Sequence, residues 1–483
     1  MIFVGRSREL GTLRQLLDRR EPQLVRVVGL PGVGKSALVR RVAADYAGLA
    51  FVCAPEPDPF VRAELRRRLE AALGSATGRR GPAGGDDDWP ALLASALDAA
   101  RAAERPWVLL LDDAHRLSDA RSRFLAPLLD TLATAAGEGV PLHVVLVGRE
   151  AGVPELEEAG TRGGGTPAGG DAVAPTLTTM RLAPLPFRAA AELLPGAAAD
   201  ARLRAYGVFG GIPRVLSRLD RDVTVGTNVR RLLLDGDGAL ADAPVAWLER
   251  EIQTPSRYVA VLRSLAFGPT GWGTIHESVP DLTRSGQVAP YLARLQAIGM
   301  VAASTSLDAG PRSRGTRYEL TDPFLAFWLR FVLPWRSDEG AHADDPPLRE
   351  HYAGRIRPGI DAHMEQVLPF VGRQHLELDA LGTLGAGARE AGSLWGAGYD
   401  IPVAGMLTSG AACYGACAWS PPARDASPLA RLDAEIRETR YGFGRERRLH
   451  LVFTGRPPPT WLLREAARRP DAEVIDAEAL AGG

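Results

Sequence analysis

The first 185 residues alternate short apolar runs with segments whose apolar residues recur at helical spacing. Apolar runs bounded by polar residues predict strands buried on both faces, and the periodic segments between them predict amphipathic helices. Strands and helices that alternate in this way indicate an α/β fold with a parallel sheet. The predicted strands lie within 24–29, 49–53, 106–115, 141–149 and 180–185, and the predicted helices are 9–19, 36–46, 60–73 and 89–103.

The pattern changes after residue 187, where helical periodicity continues without strands. Residues 256–335 combine helices with a basic hairpin, and the last part of the chain returns to short strands and helices. We predict four domains: an α/β core at 1–183, a helical domain at 184–250, a helix-and-hairpin domain at 251–336 and a second α/β domain at 337–483.

Composition excludes several classes of protein. The chain has 483 residues, a formal net charge of −1 and three cysteines, which argues against a globally basic nucleic-acid coat and against a disulfide framework. Cys413 and Cys417 lack the further ligands that a zinc site requires. The first residues contain no signal-peptide hydrophobic region, and no apolar run reaches the ~18 residues of a membrane span. We expect a soluble, cytoplasmic protein without a membrane partner.

Lys35 is the only lysine in the sequence, although lysine and arginine together number 57. It lies in Gly29-Leu-Pro-Gly-Val-Gly-Lys-Ser36, between a predicted strand and a predicted helix. All the remaining basic residues of the Lys+Arg total are arginine. The retention of a compact ammonium at position 35 alone indicates that a planar guanidinium cannot replace it there.

This strand, glycine loop and helix form the context of a phosphate-binding loop. The glycines allow backbone N–H groups to surround an anion, and the helix N-terminus adds its dipole. We expect Lys35 to reach the β- and γ-phosphates of ATP and Ser36 to bind Mg²⁺. The predicted nucleotide-binding residues are Gly29, Pro31, Gly32, Val33, Gly34, Lys35, Ser36 and Ala37.

Two further strands end in polar residues, and parallel strands present their carboxyl ends at one edge of a sheet. Asp112 and Asp113 follow a fully apolar run, so Asp112 is expected to bind Mg²⁺ and Asp113 to orient the attacking water. Arg149 follows the next apolar strand, where it either senses the γ-phosphate or is a charge at a helix start.

Two short segments allow both a nucleotide contact and an ordinary turn. Gly5 and Arg6 could line a base pocket or belong to a solvated turn. Gly211 and Pro213, in Gly210-Gly-Ile-Pro213, could form a lid loop that contacts the nucleotide or simply connect two helices.

Helices followed by a basic hairpin are typical of a winged helix, which would make DNA a possible partner. The hairpin carries Arg312, Arg314 and Arg317, whereas the predicted recognition helix offers few cations for phosphate contacts. The alternative is that this domain only packs against the core.

Five motifs occur in an order that resembles the archaeal/bacterial ATPase family of the AAA+/STAND lineage. They are Phe3-Val-Gly-Arg6, the Gly29–Ser36 loop, Leu-Leu-Leu-Asp112-Asp113, Gly210–Pro213 and the segment Tyr318–Trp328. The resemblance implies a P-loop NTPase core of AAA+ type, a helical lid, a winged helix and a C-terminal α/β domain similar to restriction-endonuclease-fold nucleases. It also implies phosphate and Mg²⁺ binding by Gly32, Gly34, Lys35, Ser36 and Asp112, water activation by Asp113, a sensor role for Arg149, and a lid contact by Gly211 and Pro213.

The chain departs from the family pattern at two places. Many relatives have Asp-Glu where this chain has Asp112-Asp113, and the shorter second carboxylate is expected to slow hydrolysis. The nuclease pattern has roughly Glu-Cys-Lys-Trp where this chain has Ala416-Cys-Ala-Trp419, and only Asp400 is left of the partner acidic site. Because metal-dependent cleavage needs carboxylates to hold the ion, we expect no nuclease activity.

The leading hypothesis is an ATP-binding, slowly hydrolysing switch that controls a protein partner through the winged helix and the C-terminal domain. One alternative is a DNA-binding transcriptional regulator whose ATPase sets DNA affinity. Another is the ATPase component of a defence or toxin-like system.

Overall fold

A computed structural model describes residues 3–77, 88–103, 105–149, 177–194, 198–279, 284–310, 315–337, 345–420, 427–445 and 447–482. The chain divides into two compact units, with the boundary between Ala183 and Pro184. The described residues before Arg6, Phe3–Gly5, belong to the second unit. Residues 157–176, whose many glycines predict an insertion, and the hairpin residues Arg312 and Arg314 lie outside the described residues.

The first unit contains a five-stranded sheet in which all neighbouring strands are parallel, as the sequence predicts. Its strand order is β2-β3-β4-β1-β5. The strands are β1 (Gln23–Gly29), β2 (Ala47–Val52), β3 (Trp107–Asp112), β4 (Leu142–Val147) and β5 (Leu177–Leu182), and the helices are α1 (Ser7–Leu17), α2 (Lys35–Ala43), α3 (Asp58–Thr77), α4 (Trp89–Ala102) and α5 (Arg121–Glu138).

Successive residues of a strand point to opposite faces, and both faces of this sheet are covered. Leu24 packs in a core with α3, α4 and α5, whereas the next residue, Val25, packs in a core with α1 and α2. On β3, Leu109 likewise packs in the core with α3, α4 and α5, and Val108 packs in the core with α1 and α2. Burial on both faces explains why the central strands read as continuous apolar runs.

His143 lies fully buried on β4, and burial lowers its pKa to about 4. The unfolded chain therefore binds one more proton than the folded chain between pH 6.5 and pH 4, so stability falls as the pH falls through this window. We predict that His143→Leu removes about 2 kcal/mol of the stability that the first unit loses between pH 7 and pH 5. Hydrogen exchange of the β1 and β4 amides at pH 7 and pH 5 measures the difference. His276→Gln, in the second unit, serves as the control, and equal pH dependence of all three proteins would contradict the prediction.

The second unit begins with short helices and continues into a small sheet. The helices are α6 (Phe187–Ala191), α7 (Ala199–Phe209), α8 (Pro213–Leu216), α9 (Val225–Val229), α10 (Ala243–Glu249), α11 (Ser256–Ser264), α12 (Trp272–Ser278) and α13 (Val288–Ala297). Strands β6 (Thr270–Gly271), β7 (Val301–Ser304) and β8 (Arg317–Leu320) form an antiparallel sheet with β8 in the centre.

Helices α14 (Pro323–Phe327), α15 (Leu333–Arg336), α16 (Asp345–His351) and the long α17 (Arg357–Leu384) lead to a second five-stranded sheet. Its order is β13-β12-β11-β10-β9, antiparallel from β9 to β11 and parallel from β11 to β13. The strands are β9 (Ala388–Gly396), β10 (Tyr399–Leu407), β11 (Ala412–Ala418), β12 (Arg448–Thr454) and β13 (Ala472–Ile475), with helices α18 (Pro428–Glu438), α19 (Thr460–Ala466) and α20 (Ala477–Ala481).

The segment after β7 is fixed to this second sheet. Leu307 packs against its core, and the Asp308 carboxylate accepts hydrogen bonds from Tyr399 Oη (2.6 Å) and Thr439 Oγ1 (2.7 Å). The small sheet and the C-terminal sheet therefore share one packed interface within the second unit. Within the described part of the chain, no helix combines the length and apolarity that crossing a bilayer requires.

Candidate functional site

The loop between β1 and α2 is shaped by its glycines. A Cβ on Gly29 would come within 2.4 Å of the Leu182 carbonyl oxygen, so no larger residue fits there. Gly34 has φ of +102° at the start of α2, a conformation that side chains rarely adopt. The buried side chain of Val33 anchors the loop in the core. The loop thus turns its backbone, and not side chains, toward the space above α2.

Lys35 reaches back over this loop. Its Nζ donates hydrogen bonds to the carbonyl oxygens of Gly29 (2.7 Å) and Leu30 (3.1 Å). The ammonium is therefore held at the mouth of the loop, where the charge of a bound phosphate would be met.

Asp112 ends β3 beside the first turn of α2. Its buried carboxylate accepts a hydrogen bond from Ser36 Oγ (2.9 Å) on one oxygen and pairs with Arg40 Nη2 (2.9 Å) through the other. The predicted proximity of Ser36 and Asp112 is thus realised: a hydroxyl and a carboxylate converge beside the loop, which is the oxygen donor set that suits Mg²⁺. Arg40, on the exposed side of α2, is a partner that the sequence analysis did not identify.

Asp113 is the only residue other than glycine with a positive φ among the described residues, at +56°. Aspartate tolerates this left-handed conformation better than most residues. Its carboxylate is 43% exposed and lies 3.5 Å from Arg116 Nε. The Asp113 carboxylate is thus accessible to solvent, whereas that of Asp112 is buried.

His115 also belongs to this site, although the sequence analysis gave it no role. Its side chain is nearly buried, and its Nδ1 lies 4.0 Å from the Asp113 carboxylate. Burial, followed by the positive charge of Arg149, lowers the pKa of His115 to about 4, with a smaller effect from Lys35. With this pKa the imidazole is neutral at pH 7. Its position two residues after Asp113 was the one signal available in the sequence.

Arg6 supports the loop from behind. The guanidinium is buried, donates to the carbonyl oxygens of Val33 (3.0 Å) and Ala183 (2.7 Å), and pairs with Glu9 (2.7 Å). These contacts give Arg6 a structural role beneath the loop. Gly5, assigned to the second unit, packs so tightly that a Cβ would come within 2.1 Å of Ala189 Cβ.

Gly211 and Pro213 belong to the second unit, where a buried carboxylate holds their turn. Asp322 accepts hydrogen bonds from the backbone N–H of Gly211 (2.8 Å) and of Phe324 (2.9 Å). Burial raises the pKa of Asp322 to about 7. The contact joins two of the motifs recognised in the sequence, the Gly210–Pro213 turn and the Tyr318–Trp328 segment.

The C-terminal sheet borders a cavity of about 880 Å³. Asp400 and Ala416–Ala418 line it together, so the positions compared with a nuclease site do converge. Asp400, however, pairs with Arg317 Nη1 at 3.0 Å, and the Arg317 guanidinium lies over the ring of Trp395. Among the described residues, no three His, Cys, Asp or Glu side chains cluster as a metal site.

Comparison with known proteins identifies the first unit. Residues 2–147 match the family described as AAA ATPase domain, which spans both the glycine loop and the Asp112-Asp113 pair. The chain has an AAA ATPase domain. An uncharacterized protein of Methanocaldococcus jannaschii, MJECL04, is 24% identical over 163 residues, which are 32% of this chain and 34% of that protein. The chain thus spans about a third of the length of this curated relative.

Solved structures similar to this chain include three proteins of archaea. The Walker-type ATPase PABY2304 of Pyrococcus abyssi is 18% identical and covers 67% of this chain and 95% of its own, with a TM-score of 0.48. The Aeropyrum pernix ORC2 protein is 15% identical (72% and 95% covered, TM-score 0.37), and the STAND protein PH0952 of Pyrococcus horikoshii is 14% identical (79% and 56%, TM-score 0.29). All three TM-scores lie below 0.5, so the assignment rests on the domain match.

Proposed function

We propose that the protein binds ATP with Mg²⁺ at the Gly29–Ala37 loop and hydrolyses it slowly. The observation that carries this proposal is the convergence of Ser36 and Asp112 beside a glycine loop capped by Lys35. Ser36 and Asp112 would hold Mg²⁺, which neutralises phosphate charge when bound. Lys35 would bind the β- and γ-phosphates, Asp113 would orient the attacking water, and Arg149 would sense the γ-phosphate.

We infer slow turnover from the residue type at Asp113. Its carboxylate is one methylene shorter than the glutamate that the family resemblance implies at this position, and the left-handed turn at Asp113 favours aspartate. If hydrolysis is slow, ATP stays bound for a long time, and the protein would act as a switch between an ATP-bound and an ATP-free state. The Gly211–Asp322 hydrogen bond supports this part of the proposal, because a nucleotide contact at Gly211 or Pro213 would be transmitted to the start of α14.

Arg40 gives the Mg²⁺ site a distinctive property. A guanidinium paired with Asp112 competes with a cation for the same carboxylate. We predict that Arg40→Gln lowers the Mg²⁺ concentration that half-maximally strengthens ATP binding, by up to roughly fivefold for a partly exposed pair. Titration of Mg²⁺ at fixed ATP measures this midpoint. Arg41→Gln, on the same helix, is the matched control, and an unchanged or higher midpoint in Arg40→Gln would contradict the prediction.

The C-terminal domain is proposed to serve binding or assembly and not DNA cleavage. The pairing of Asp400 with Arg317 supports this assignment, because it commits the one acid left at the nuclease-like position. Metal-dependent cleavage of duplex DNA by the purified protein, abolished by Asp400→Ala, would overturn it.

A DNA-binding transcriptional regulator whose ATPase sets DNA affinity is the second candidate function, since the helices and the three-stranded sheet of 256–320 have the elements of a winged helix. The same Arg317–Asp400 pair weighs against this candidate, because it neutralises one of the hairpin cations. ATP turnover measured with and without duplex DNA separates the two functions. The switch proposal predicts no response to DNA, whereas salt-sensitive duplex binding that accelerates turnover favours the regulator.

A further inference from the structure

The loop between α18 and β12 presents an exposed aromatic ring. Phe443 is 84% exposed, more than any other large apolar side chain of the described residues. The base of the loop is closed by a hydrogen bond from Ala412 N–H to the Arg447 carbonyl oxygen (3.1 Å). Phe443 therefore stands at the tip of a loop that is fixed to the sheet.

The anchor of this loop is Tyr441, which is buried directly before the tip. Its hydroxyl donates to Glu390 (2.7 Å), and its carbonyl oxygen accepts from the hydroxyl of Tyr414 (2.6 Å). Two successive turns follow, closed by Phe443 N–H to Arg440 O and by Arg445 N–H to Gly442 O, both at 3.1 Å. Hydrogen bonds thus define the backbone on both sides of the exposed ring.

Gly442 and Gly444 flank Phe443, and both adopt a left-handed backbone conformation at the tip of the loop. Gly442 has φ of +64°, and a Cβ there would come within 2.6 Å of both Ala412 Cβ and Tyr414 Oη. Gly444 has φ of +77°. A single exposed apolar side chain is common on protein surfaces and needs no explanation by itself. Here, however, two glycines in the left-handed conformation fix the backbone on both sides of the ring.

Arginines surround this tip. Residues 439–448 contain four arginines and one glutamate, a local excess of positive charge in a chain whose net charge is −1. Arg440, Arg445 and Arg447 are exposed. None of the three forms an ion pair with a carboxylate of the described residues, whereas the nearby Arg469 pairs with both Asp433 and Asp471. The tip therefore offers guanidinium groups to an external anion.

We propose that this tip, formed by Arg440–Arg445 and Arg447, binds single-stranded nucleic acid, with a base stacked on Phe443 and phosphates on the arginines. An aromatic ring beside cations fits a ligand that carries flat faces and negative charge together, and unpaired bases offer their faces whereas duplex bases do not. One ring provides little apolar area for insertion into a membrane surface. The proposal gives a partner class to the binding role proposed for the C-terminal domain and is independent of the ATP site.

The test is fluorescence anisotropy of the full chain with a labelled oligothymidylate and, in parallel, an oligouridylate, between 50 and 200 mM salt. Phe443→Ala is expected to weaken binding roughly tenfold, and Phe443→Trp to restore it, because indole also stacks. The double variant Arg445→Gln/Arg447→Gln should reduce the slope of log affinity against log salt by about 1.4, because each phosphate contact with a single strand contributes about 0.7. Leu381→Ala, which removes another exposed apolar side chain, is the matched control.

Equal affinities of the wild type and Phe443→Ala, or absence of binding to both oligonucleotides at 50 mM salt, would overturn the proposal. Loss of phosphatidylserine vesicle binding in Phe443→Ala with unchanged oligonucleotide affinity would also overturn it, in favour of a membrane. ATP affinity, measured on the same preparations, reports separately on the function proposed for the first unit.

Discussion

Lys35→Ala is expected to weaken ATP binding roughly a hundredfold. The ammonium is held at the mouth of the glycine loop by the Gly29 and Leu30 carbonyl oxygens, and it would exchange these bonds for phosphate oxygens. Charge-assisted hydrogen bonds to phosphate contribute about 1.5–3 kcal/mol each, and about 3 kcal/mol corresponds to this loss in affinity. Calorimetric titration with ATP and Mg²⁺ measures the difference directly.

Arg41→Ala is the matched control, because it removes an exposed cation from the same helix without touching the loop. It should bind ATP as the wild type does. Unchanged affinity in Lys35→Ala would remove the basis of the proposed nucleotide site.

Asp113→Asn is expected to reduce ATP turnover at least a hundredfold while leaving ATP affinity within about twofold. General-base catalysis typically contributes a factor of about 10² to 10⁴, and the amide cannot accept the proton of the attacking water. Asparagine tolerates the left-handed conformation as well as aspartate does, so the turn at φ +56° should persist. Single-turnover hydrolysis, together with a binding titration, separates the two effects.

The control for this variant is Asp98→Asn, which alters an exposed carboxylate elsewhere on the first unit. It should hydrolyse ATP at the wild-type rate. If Asp113→Asn also retained that rate, another group would have to orient the water, and His115 at 4.0 Å would be the first to replace.

The sheet of the first unit could be predicted because strands that are buried on both faces consist of continuous apolar runs, which are visible in the sequence. β3 and β4 consist almost wholly of apolar residues, and β3 ends at Asp112, so the existence of both strands and the edge at which Asp112 lies followed from the sequence. β5 is less buried, and it begins three residues earlier than the predicted strand at 180–185. Because the apolar pattern of β5 is weaker, its first residue was predicted less accurately.

Arg40 could not be identified in the same way. Its partnership with Asp112 depends on the height at which β3 ends beside α2, which is a property of packing. In a chain where nearly every cation is arginine, residue type carries no information about which arginine has a partner in the site.

The link between Gly211 and Asp322 was inaccessible for a related reason. Both motifs stood out in the sequence, but 111 positions separate them and nothing local indicates that they touch. The same holds for Arg317 and Asp400. Long-range polar contacts follow from how helices and sheets pack, and periodicity along the chain does not encode them.

The Lys35→Arg variant provides the most direct test of the central claim, that position 35 holds an ammonium for ATP. Calorimetric titration of wild type and variant with ATP, in Mg²⁺ and in EDTA, should show Mg²⁺-strengthened binding only in the wild type. A planar guanidinium cannot replace a compact ammonium between the Gly29 and Leu30 carbonyl oxygens and the phosphates. Wild-type affinity in Lys35→Arg, or no ATP binding by the wild type, would contradict the account.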